Sequence, residues 1–321
     1  MKSILKKVAG VAVAAVLALG MFSCSNGIDY PVKETVATPA FSVASGAVNS
    51  GTSVTISCAT DRAKIYYTTD GNEPTASSTE YSDAISITKA VTLKAIAVKS
   101  GMNDSAVASA SYLIIPTKAT CVPGDFVLKD GTMLPKDIIL TDTQKSNVAA
   151  VIVRAATNDK PALGVGIVHN QMAWCTESAA GYEIDISALQ GYKTTGYMDG
   201  SDGWEKLKEA CSDAASNPEK YPAWNYSLTY AETNGLTGDL ATGWYLPTVA
   251  ELYTIYQNKT AVNESLSKVG GSTFGTSFYW SCCQNPSGSN GARALYFYSG
   301  SMFDYGKFYN SNYVCSVRAF N

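Results

Sequence analysis

Apolar and polar residues alternate in short runs along the first third of the chain, a pattern typical of β-strands with one buried face. Turn signals such as Asp70-Gly71 and Gly101-Met102-Asn103 separate these runs. Short strands at this spacing favour an all-β sandwich of two packed sheets. The alternation predicts strands at Ser53–Ser57, Ala63–Thr68, Ala84–Ile87, Thr92–Val98 and Ala106–Leu113.

The rest of the chain, from Gly124, mixes strand and helix periods. Thr248 and Glu251 have the spacing of a capping box, in which a hydroxyl and a carboxylate satisfy the free N–H groups at a helix start. Apolar positions at helical spacing predict helices at Gly203–Ala214 and Thr248–Gln257. Apolar or alternating runs predict strands at Val148–Arg154, Ala162–His169, Phe278–Ser281, Ala294–Tyr298 and Tyr313–Ala319.

The first residues have the pattern of an export signal. A basic start precedes the apolar core Val8–Phe22, which is shorter than the about 20 residues that a membrane-spanning helix needs. The core ends at Ser23-Cys24, which resembles a loose bacterial lipobox. This resemblance implies that residues 1–23 are a lipoprotein signal peptide and that Cys24 carries lipid such as palmitate. A plain signal peptide cut nearby is the alternative. Residues 24–36 have the composition of a polar tether.

The charge of the chain limits its partners. The formal net charge is −3, from 24 basic and 27 acidic side chains. Removal of residues 1–23 removes three lysines and no acids, which leaves 21 basic side chains and a net charge near −6. This charge argues against nucleic acid and against charge-driven binding to an anionic membrane. We therefore expect membrane contact through the lipid alone, and a monomer.

The cysteines and the single histidine argue against catalysis and against a metal site. An odd number of cysteines follows Cys24, which does not give a complete disulfide framework in an exported protein. His169 is the only histidine, so neither a Ser–His pair nor a multi-histidine metal site can form. We expect no cofactor, no metal and no catalytic residue. The cysteines are Cys58, Cys121, Cys175, Cys211, Cys282, Cys283 and Cys315.

Three segments of the first third resemble a known domain. The residues Ile65–Thr75 (IYYTTDGNEPT), Leu93–Ala97 and Ser109–Tyr112 resemble the small β-sandwich at the end of bacterial chitobiases and hexosaminidases. That domain is fibronectin-III-like and noncatalytic, and it accompanies catalytic domains. The resemblance implies a sandwich over residues 37–115, followed by a linker at 116–123.

An ordered set of motifs in the remainder carries a second resemblance. Asp202-Gly203-Trp204, Gly243–Leu252 (GWYLPTVAEL), Tyr279-Trp280-Ser281 and Val314–Arg318 resemble the C-type-lectin-fold domains related to formylglycine-generating enzymes. The match implies that residues 124–321 form one α+β domain with this fold. Cys283 and Cys315 stand where the family often has Ser and Arg. A cysteine codon can arise from an Asn codon (AAY) by substitution of its adenines.

The composition near the C-terminus points to one branch of that family. Tyr, Phe, Ser, Asn, Asp and Gly crowd residues 279–320, and such residues suit an adaptable binding surface. They resemble the products of adenine-directed mutagenesis of Asn codons in the variable proteins of diversity-generating retroelements, including treponeme lipoproteins. The resemblance implies that ligand is bound by Tyr296, Tyr298, Ser301, Phe303, Asp304, Tyr305, Phe308, Tyr309, Asn310 and Asn312.

Fixed apolar positions lie between the candidate binding residues. In Leu295-Tyr-Phe-Tyr298, Leu295 and Phe297 share one face of a strand and the two tyrosines share the other. Tyr298 and Tyr305 are therefore expected to be dispensable for stability. The expected inward positions are Ala292, Ala294, Leu295, Phe297, Met302, Val314, Val317 and Phe320.

These observations predict a lipoprotein anchored at the bacterial outer membrane or cell surface. The C-terminal domain is expected to bind a protein or glycan on another cell or phage, without catalysis. A fixed-specificity carbohydrate-binding or adhesion module is the first alternative, and an ordinary β-rich domain with core aromatics is the second. A formylglycine-generating-type oxidase is a third, but the adjacent Cys282 and Cys283 do not match the copper-binding cysteine pair of that family.

Overall fold

The computed structural model describes residues 32–285, 290–309 and 311–320. The predicted signal peptide, the lipid-bearing Cys24 and the candidate binding residue Asn310 lie outside the described residues. Within the described ranges, no helix has both the length and the apolar character needed to cross a membrane.

A small β-sandwich occupies the first part of the described chain. One sheet has five strands in the order β2-β9-β8-β5-β6, and two further pairs, β1-β4 and β3-β7, complete it. This arrangement confirms the predicted N-terminal sandwich. The strands are β1 Ala40–Phe41, β2 Gly46–Val48, β3 Thr52–Val54, β4 Ile56–Ser57, β5 Lys64–Thr68, β6 Thr79–Glu80, β7 Ile85–Ile87, β8 Val91–Val98 and β9 Ala108–Ile114.

The core of the sandwich follows from strand alternation. Leu93, Ala95 and Ala97 of β8 are fully buried, while the residues between them are half-buried. Tyr112 of β9 is buried, and its hydroxyl donates to the carbonyl of Val43 at 2.7 Å. The buried ring therefore keeps a partner for its polar end, as a tyrosine in a core requires.

The second part is built on a nine-stranded sheet. Eight strands follow the order β11-β10-β12-β13-β18-β15-β16-β17, and β14 also pairs with β18. The strands are β10 Phe126–Leu128, β11 Met133–Leu134, β12 Val148–Arg154, β13 Ala162–Met172, β14 Trp244–Tyr245, β15 Phe278–Gln284, β16 Gly291–Tyr296, β17 Ser301–Gly306 and β18 Asn312–Phe320. The helices are α1 Asp142–Ser146, α2 Gly203–Ala210, α3 Pro222–Leu228, α4 Tyr230–Thr233, α5 Val249–Gln257 and α6 Lys259–Lys268.

Most predicted elements of the second part are present, with shifted ends. Strand β12 has the predicted bounds, whereas β13 runs on to Met172 and α2 stops at Ala210 because Cys211 has an extended backbone. Tyr298 lies in the turn after β16 and not inside the strand. Strand β17 was missed because its sequence, SMFDYG, has no alternation of apolar and polar residues.

The capping box of α5 is buried. The Glu251 carboxylate accepts from the Thr248 backbone N–H at 2.8 Å and from the Tyr245 hydroxyl at 2.7 Å. It also accepts from the Gly200 N–H at 3.2 Å, so the helix start is joined to a distant loop. Burial raises the pKa of Glu251 to about 7, although these hydrogen bonds act in the opposite direction.

Replacement of Glu251 by Gln is expected to change how stability depends on pH. The pKa of Glu251 in the folded protein is above its ordinary value of 4.5, so its contribution is complete at low pH and is lost as pH rises towards 7. Between pH 4.5 and 8 the wild type should therefore lose up to about 3 kcal/mol more unfolding free energy than Glu251→Gln. Urea denaturation across this range measures the difference.

The exposed Glu264 of α6 supplies the control, because Glu264→Gln should keep the pH dependence of the wild type. Titration of other groups is common to all three proteins and cancels in the comparison. Equal pH slopes for wild type and Glu251→Gln would contradict this assignment.

Candidate ligand-binding surface

Three antiparallel strands at one edge of the large sheet carry most of the candidate binding residues. Strand β16 pairs with β15 on one side and with β17 on the other. In this register Tyr296 lies between Phe278 and Ser301, and Ala294 lies between Trp280 and Phe303. Because side chains alternate along strands, these residues all belong to one face of the sheet.

Five aromatic side chains on this face form a continuous group, here named the aromatic patch. The rings of Phe278 and Tyr296 stack with centroids 4.3 Å apart. Phe278 also meets Tyr305 edge-on at 5.0 Å and Phe303 at 5.4 Å. Tyr298 joins through Tyr296 at 5.8 Å. Edge-on and stacked geometry at these distances stabilises the group beyond area burial alone.

The patch is partly open to solvent. Tyr298 is 67% exposed and Phe303 is 42% exposed, whereas Phe278, Tyr296 and Tyr305 are half-buried. The half-buried ring of Tyr305 packs against Phe278, and its centroid lies 6.3 Å from that of buried Trp280. That Tyr305 is dispensable for stability stays a prediction. Exposed aromatic rings held by neighbours offer contact area with little entropy to lose.

The turn that carries Tyr298 has a fixed shape. Gly300 has φ of 69°, which favours glycine, and a Cβ at this position would collide with the ring of Tyr256. The Gly300 N–H donates to the carbonyl of Tyr296 at 2.7 Å. This turn therefore holds Tyr298 beside the strands.

The opposite face of the same strands belongs to the core. Leu295 and Phe297 are fully buried, and the Phe297 ring stacks on Phe274 with centroids 4.5 Å apart. The alternation expected around Tyr296 is thus present. Among the expected inward positions Met302 is half-buried, and Ala292 and Ala294 are buried although they lie on the face of Tyr296. The other expected inward positions are also buried: Leu295, Phe297, Val314, Val317 and Phe320.

The remaining candidate residues do not join the patch. Asp304 lies on the other face of β17, where its carboxylate is 3.4 Å from Arg293 Nε. Phe308 and Tyr309 contact each other with centroids 5.1 Å apart, and Phe308 contacts Tyr182. Asn312 is half-buried at the start of β18.

Phe278 was not identified from the sequence as a patch residue, and the candidate Ser301 lies at the border of the patch. Phe278 was absent from the predicted set, although its spacing of two from Trp280 places both on the face of Tyr296. Ser301 is half-buried at the start of β17 and accepts from the Ser299 hydroxyl at 2.9 Å.

A buried lysine separates the patch from Phe308 and Tyr309. Lys307 is fully buried, and its ammonium donates to the carbonyls of Gly181 at 2.7 Å, Ile184 at 3.1 Å and Tyr182 at 3.3 Å. The group also lies 5.1 Å from the centroid of Trp174. Burial lowers the pKa of Lys307 to about 8. These contacts tie the end of β17 to the loop that carries residues 181–184.

The cysteines near the patch lie in the core. Cys282, Cys283 and Cys315 are fully buried, and burial raises the pKa of Cys282 and Cys315 well above the ordinary value. The Cys282 and Cys315 thiols therefore stay protonated at neutral pH, whereas nucleophiles and metal ligands need the thiolate. Burial also acts to raise the pKa of Cys283, but hydrogen bonds such as that from Cys282 outweigh it and lower this pKa. Cys283 and Cys315 therefore do not belong to an exposed variable surface.

His169 is buried as well, with its Nδ1 3.0 Å from the Tyr279 hydroxyl, and burial lowers its pKa to about 3. In the described part of the chain, no group of three or more His, Cys, Asp or Glu residues has an arrangement that could hold a metal.

Comparison with known proteins supports the sandwich alone. Residues 43–109 match the family model of the chitobiase/beta-hexosaminidase C-terminal domain, which confirms the resemblance found in the sequence. No curated protein matches the chain. The structure of a fimbrial protein from Bacteroides ovatus aligns with a TM-score of 0.48 at 12% identity, covering 90% of this chain and 70% of that one. A similarity at this level carries no argument about function.

Substitution of Lys307 by Met is expected to destabilise the protein. The change removes the donor to three carbonyl groups, of which those of Gly181 and Tyr182 are buried, at a cost of about 2 kcal/mol or more in unfolding free energy. Lys259→Met is the matched control, because half-buried Lys259 donates to one carbonyl, that of Phe297, at 2.7 Å. Urea denaturation compares the two variants. A Lys307→Met protein as stable as the wild type would show that the ammonium is not what holds the 181–184 loop.

Proposed function

We propose that this chain is a bacterial surface lipoprotein that binds a protein or glycan ligand through the aromatic patch and its borders. The single observation that carries the proposal is the patch itself, a group of five aromatic side chains in mutual contact at the edge of the large sheet, of which Tyr298 and Phe303 are exposed. Exposed aromatic groups are enriched among the residues that dominate binding energy. A rigid strand scaffold also positions them more accurately than a loop.

The proposed fold of the binding domain is the C-type-lectin fold. In support, the motif residues hold structural positions: Thr248 and Glu251 cap α5, Trp280 is buried in β15, and Val317 is buried in β18. The proposed diversification is supported by the separation of roles along β16 and the turn that follows it. Tyr296 and Tyr298 can change without touching buried Leu295 and Phe297.

The proposed arrangement on the cell has three parts. Lipid on Cys24 anchors the chain, and the sandwich over residues 37–115 acts as a spacer that presents the binding domain outward. Residues 24–36 link the two, but the end of this predicted tether is part of the sandwich, because Glu34 and Val36 are hydrogen-bonded to Asn103 and Val36 is buried. The ligand lies on another cell or on a phage. The excess of acidic side chains, 27 against 24 basic ones in the full chain, is consistent with a partner other than nucleic acid.

A fixed-specificity carbohydrate-binding module is the second candidate. The match of residues 43–109 to a domain of chitobiases and β-hexosaminidases favours it, because that domain accompanies enzymes that act on glycans. Aromatic faces also stack on sugar rings. Both candidates use the aromatic patch as the binding surface. They differ in whether the segment of the gene that encodes this surface is diversified by mutagenesis.

Removal of the two most exposed patch rings is expected to abolish binding without unfolding the protein. Tyr298→Ala with Phe303→Ala should weaken ligand binding at least about tenfold. The free energy of unfolding should fall by about 1 kcal/mol or less, because Tyr298 is 67% exposed and Phe303 is 42% exposed. Binding is measured on glycan arrays and on panels of intact bacterial cells and phage.

The double variant Phe308→Ala with Tyr309→Ala removes two exposed rings outside the patch and serves as the control. Retained binding by the Tyr298/Phe303 variant, with loss in the control, would move the binding surface to the Phe308–Tyr309 region. A large loss of stability in the Tyr298/Phe303 variant would instead assign these rings to the core.

The genomic locus is expected to contain a near-copy of the segment encoding about residues 279–320, beside a reverse-transcriptase gene. DNA sequencing around the gene tests this directly. The copy should differ from the gene almost only at its adenines, and the substituted codons should include those of Tyr296, Tyr298 and Phe303. Without such a copy the diversified form of the proposal fails, and the fixed-specificity module becomes the leading account.

A further inference from the structure

Three cationic side chains converge on a small cavity beside α5. Arg154 at the end of β12, Lys160 in the following loop and Lys193 in a distant loop all line a cavity of about 120 Å³. Tyr253 and Thr254 of α5 line it as well. Such a concentration of positive charge is unexpected in a protein whose net charge is −3.

The three cations of this cavity form no ion pair among the described residues. Across residues 32–285, 290–309 and 311–320, the ion pairs within 4.0 Å involve other cations, such as Lys206 with Asp202 and Lys220 with Asp213. Arg154, Lys160 and Lys193 take part in none of them. Cations held close together without acidic partners repel one another, and a bound anion would relieve this repulsion.

The hydrogen bonds of the cations leave donors unused. One terminal nitrogen of Arg154 donates to the Pro161 carbonyl at 3.0 Å, but its Nε is buried and has no acceptor among the described residues. The Lys193 ammonium donates to the Gly300 carbonyl at 3.2 Å and lies 4.9 Å from the ring centroid of Tyr253. An ammonium has three N–H donors, so Lys193 keeps further donors for a ligand.

The one acidic side chain that lines the cavity is already occupied. Glu251 is 4% exposed, and its carboxylate accepts from Thr248, Gly200 and Tyr245. Burial raises its pKa to about 7, so part of the population is neutral at neutral pH. Glu251 is thus held by neutral donors and, in the described part of the chain, makes no ion pair with the three cations.

We propose that this cavity is a binding site for a small oxyanion, either a carboxylate or a sulfate- or phosphate-type group. The volume has room for several water molecules and hence for one such group. Guanidinium and ammonium donors are the groups that proteins use to hold these anions. The site does not depend on what the aromatic patch binds, although Lys193 also contacts Gly300 of the turn that carries Tyr298.

The test is isothermal titration calorimetry of the full chain with sodium sulfate, and in a second arm with sodium acetate, in chloride buffer at constant ionic strength. Saturable binding is expected with at least one of the two anions. Tighter binding of sulfate would indicate a site for a sulfate- or phosphate-type group, and tighter binding of acetate would indicate a carboxylate site. Lys160→Gln with Lys193→Gln should weaken binding about tenfold. Lys89→Gln with Lys99→Gln removes two sandwich lysines, changes the net charge equally and should bind like the wild type.

The exposed Lys160 also provides a variant that does not disturb the fold, because Lys160→Gln alone touches no buried group. It should weaken binding by about threefold. The proposal is overturned if neither anion binds saturably, or if the cavity variants bind as tightly as the Lys89/Lys99 control.

Discussion

The position of the last strand is the constraint on which the second half of the molecule depends. Strand β18 lies inside the large sheet, antiparallel to β13 along one side. Its other side pairs with β15 near its start and with β14 near its end. The residues nearest the C-terminus therefore join strands that are far apart in sequence. Such non-local pairing is slow to form but fixes the sheet order once complete.

This order explains how a surface near the C-terminus can be both rigid and open to change. Strand β15 is held by β18, and β16 and β17 extend from it to the edge of the sheet. Leu295 on one face of β16 enters the core, while Tyr296 on the other face joins the aromatic patch. Lys307 then ties the end of β17 to the 181–184 loop. The backbone is fixed at both ends of the edge strand, so stability depends little on Tyr298 or Phe303.

Sequence patterns predicted the frame better than the surface. Local periodicity and residue spacing predicted the bounds of β12 and the capping box of α5. They also predicted the burial of Leu295 and Phe297 on either side of Tyr296. The separation of Phe308 from the patch does not, since it depends on burial of Lys307, a residue type that is almost never fully buried. The oxyanion cavity was also invisible, because Arg154 and Lys193 are brought together only by tertiary folding.

The buried cation Lys307 and the three cations of the cavity beside α5 differ in how their charges are stabilised. Lys307 is enclosed, and three carbonyl dipoles stabilise its ammonium. Arg154, Lys160 and Lys193 line a cavity that solvent reaches and have few fixed acceptors. The carbonyl groups around Lys307 hold its ammonium in place as part of the scaffold. The accessible cations of the cavity have few such fixed acceptors and can bind an anion from solution. This contrast is why Lys307 is assigned to the scaffold and the cavity beside α5 to ligand binding.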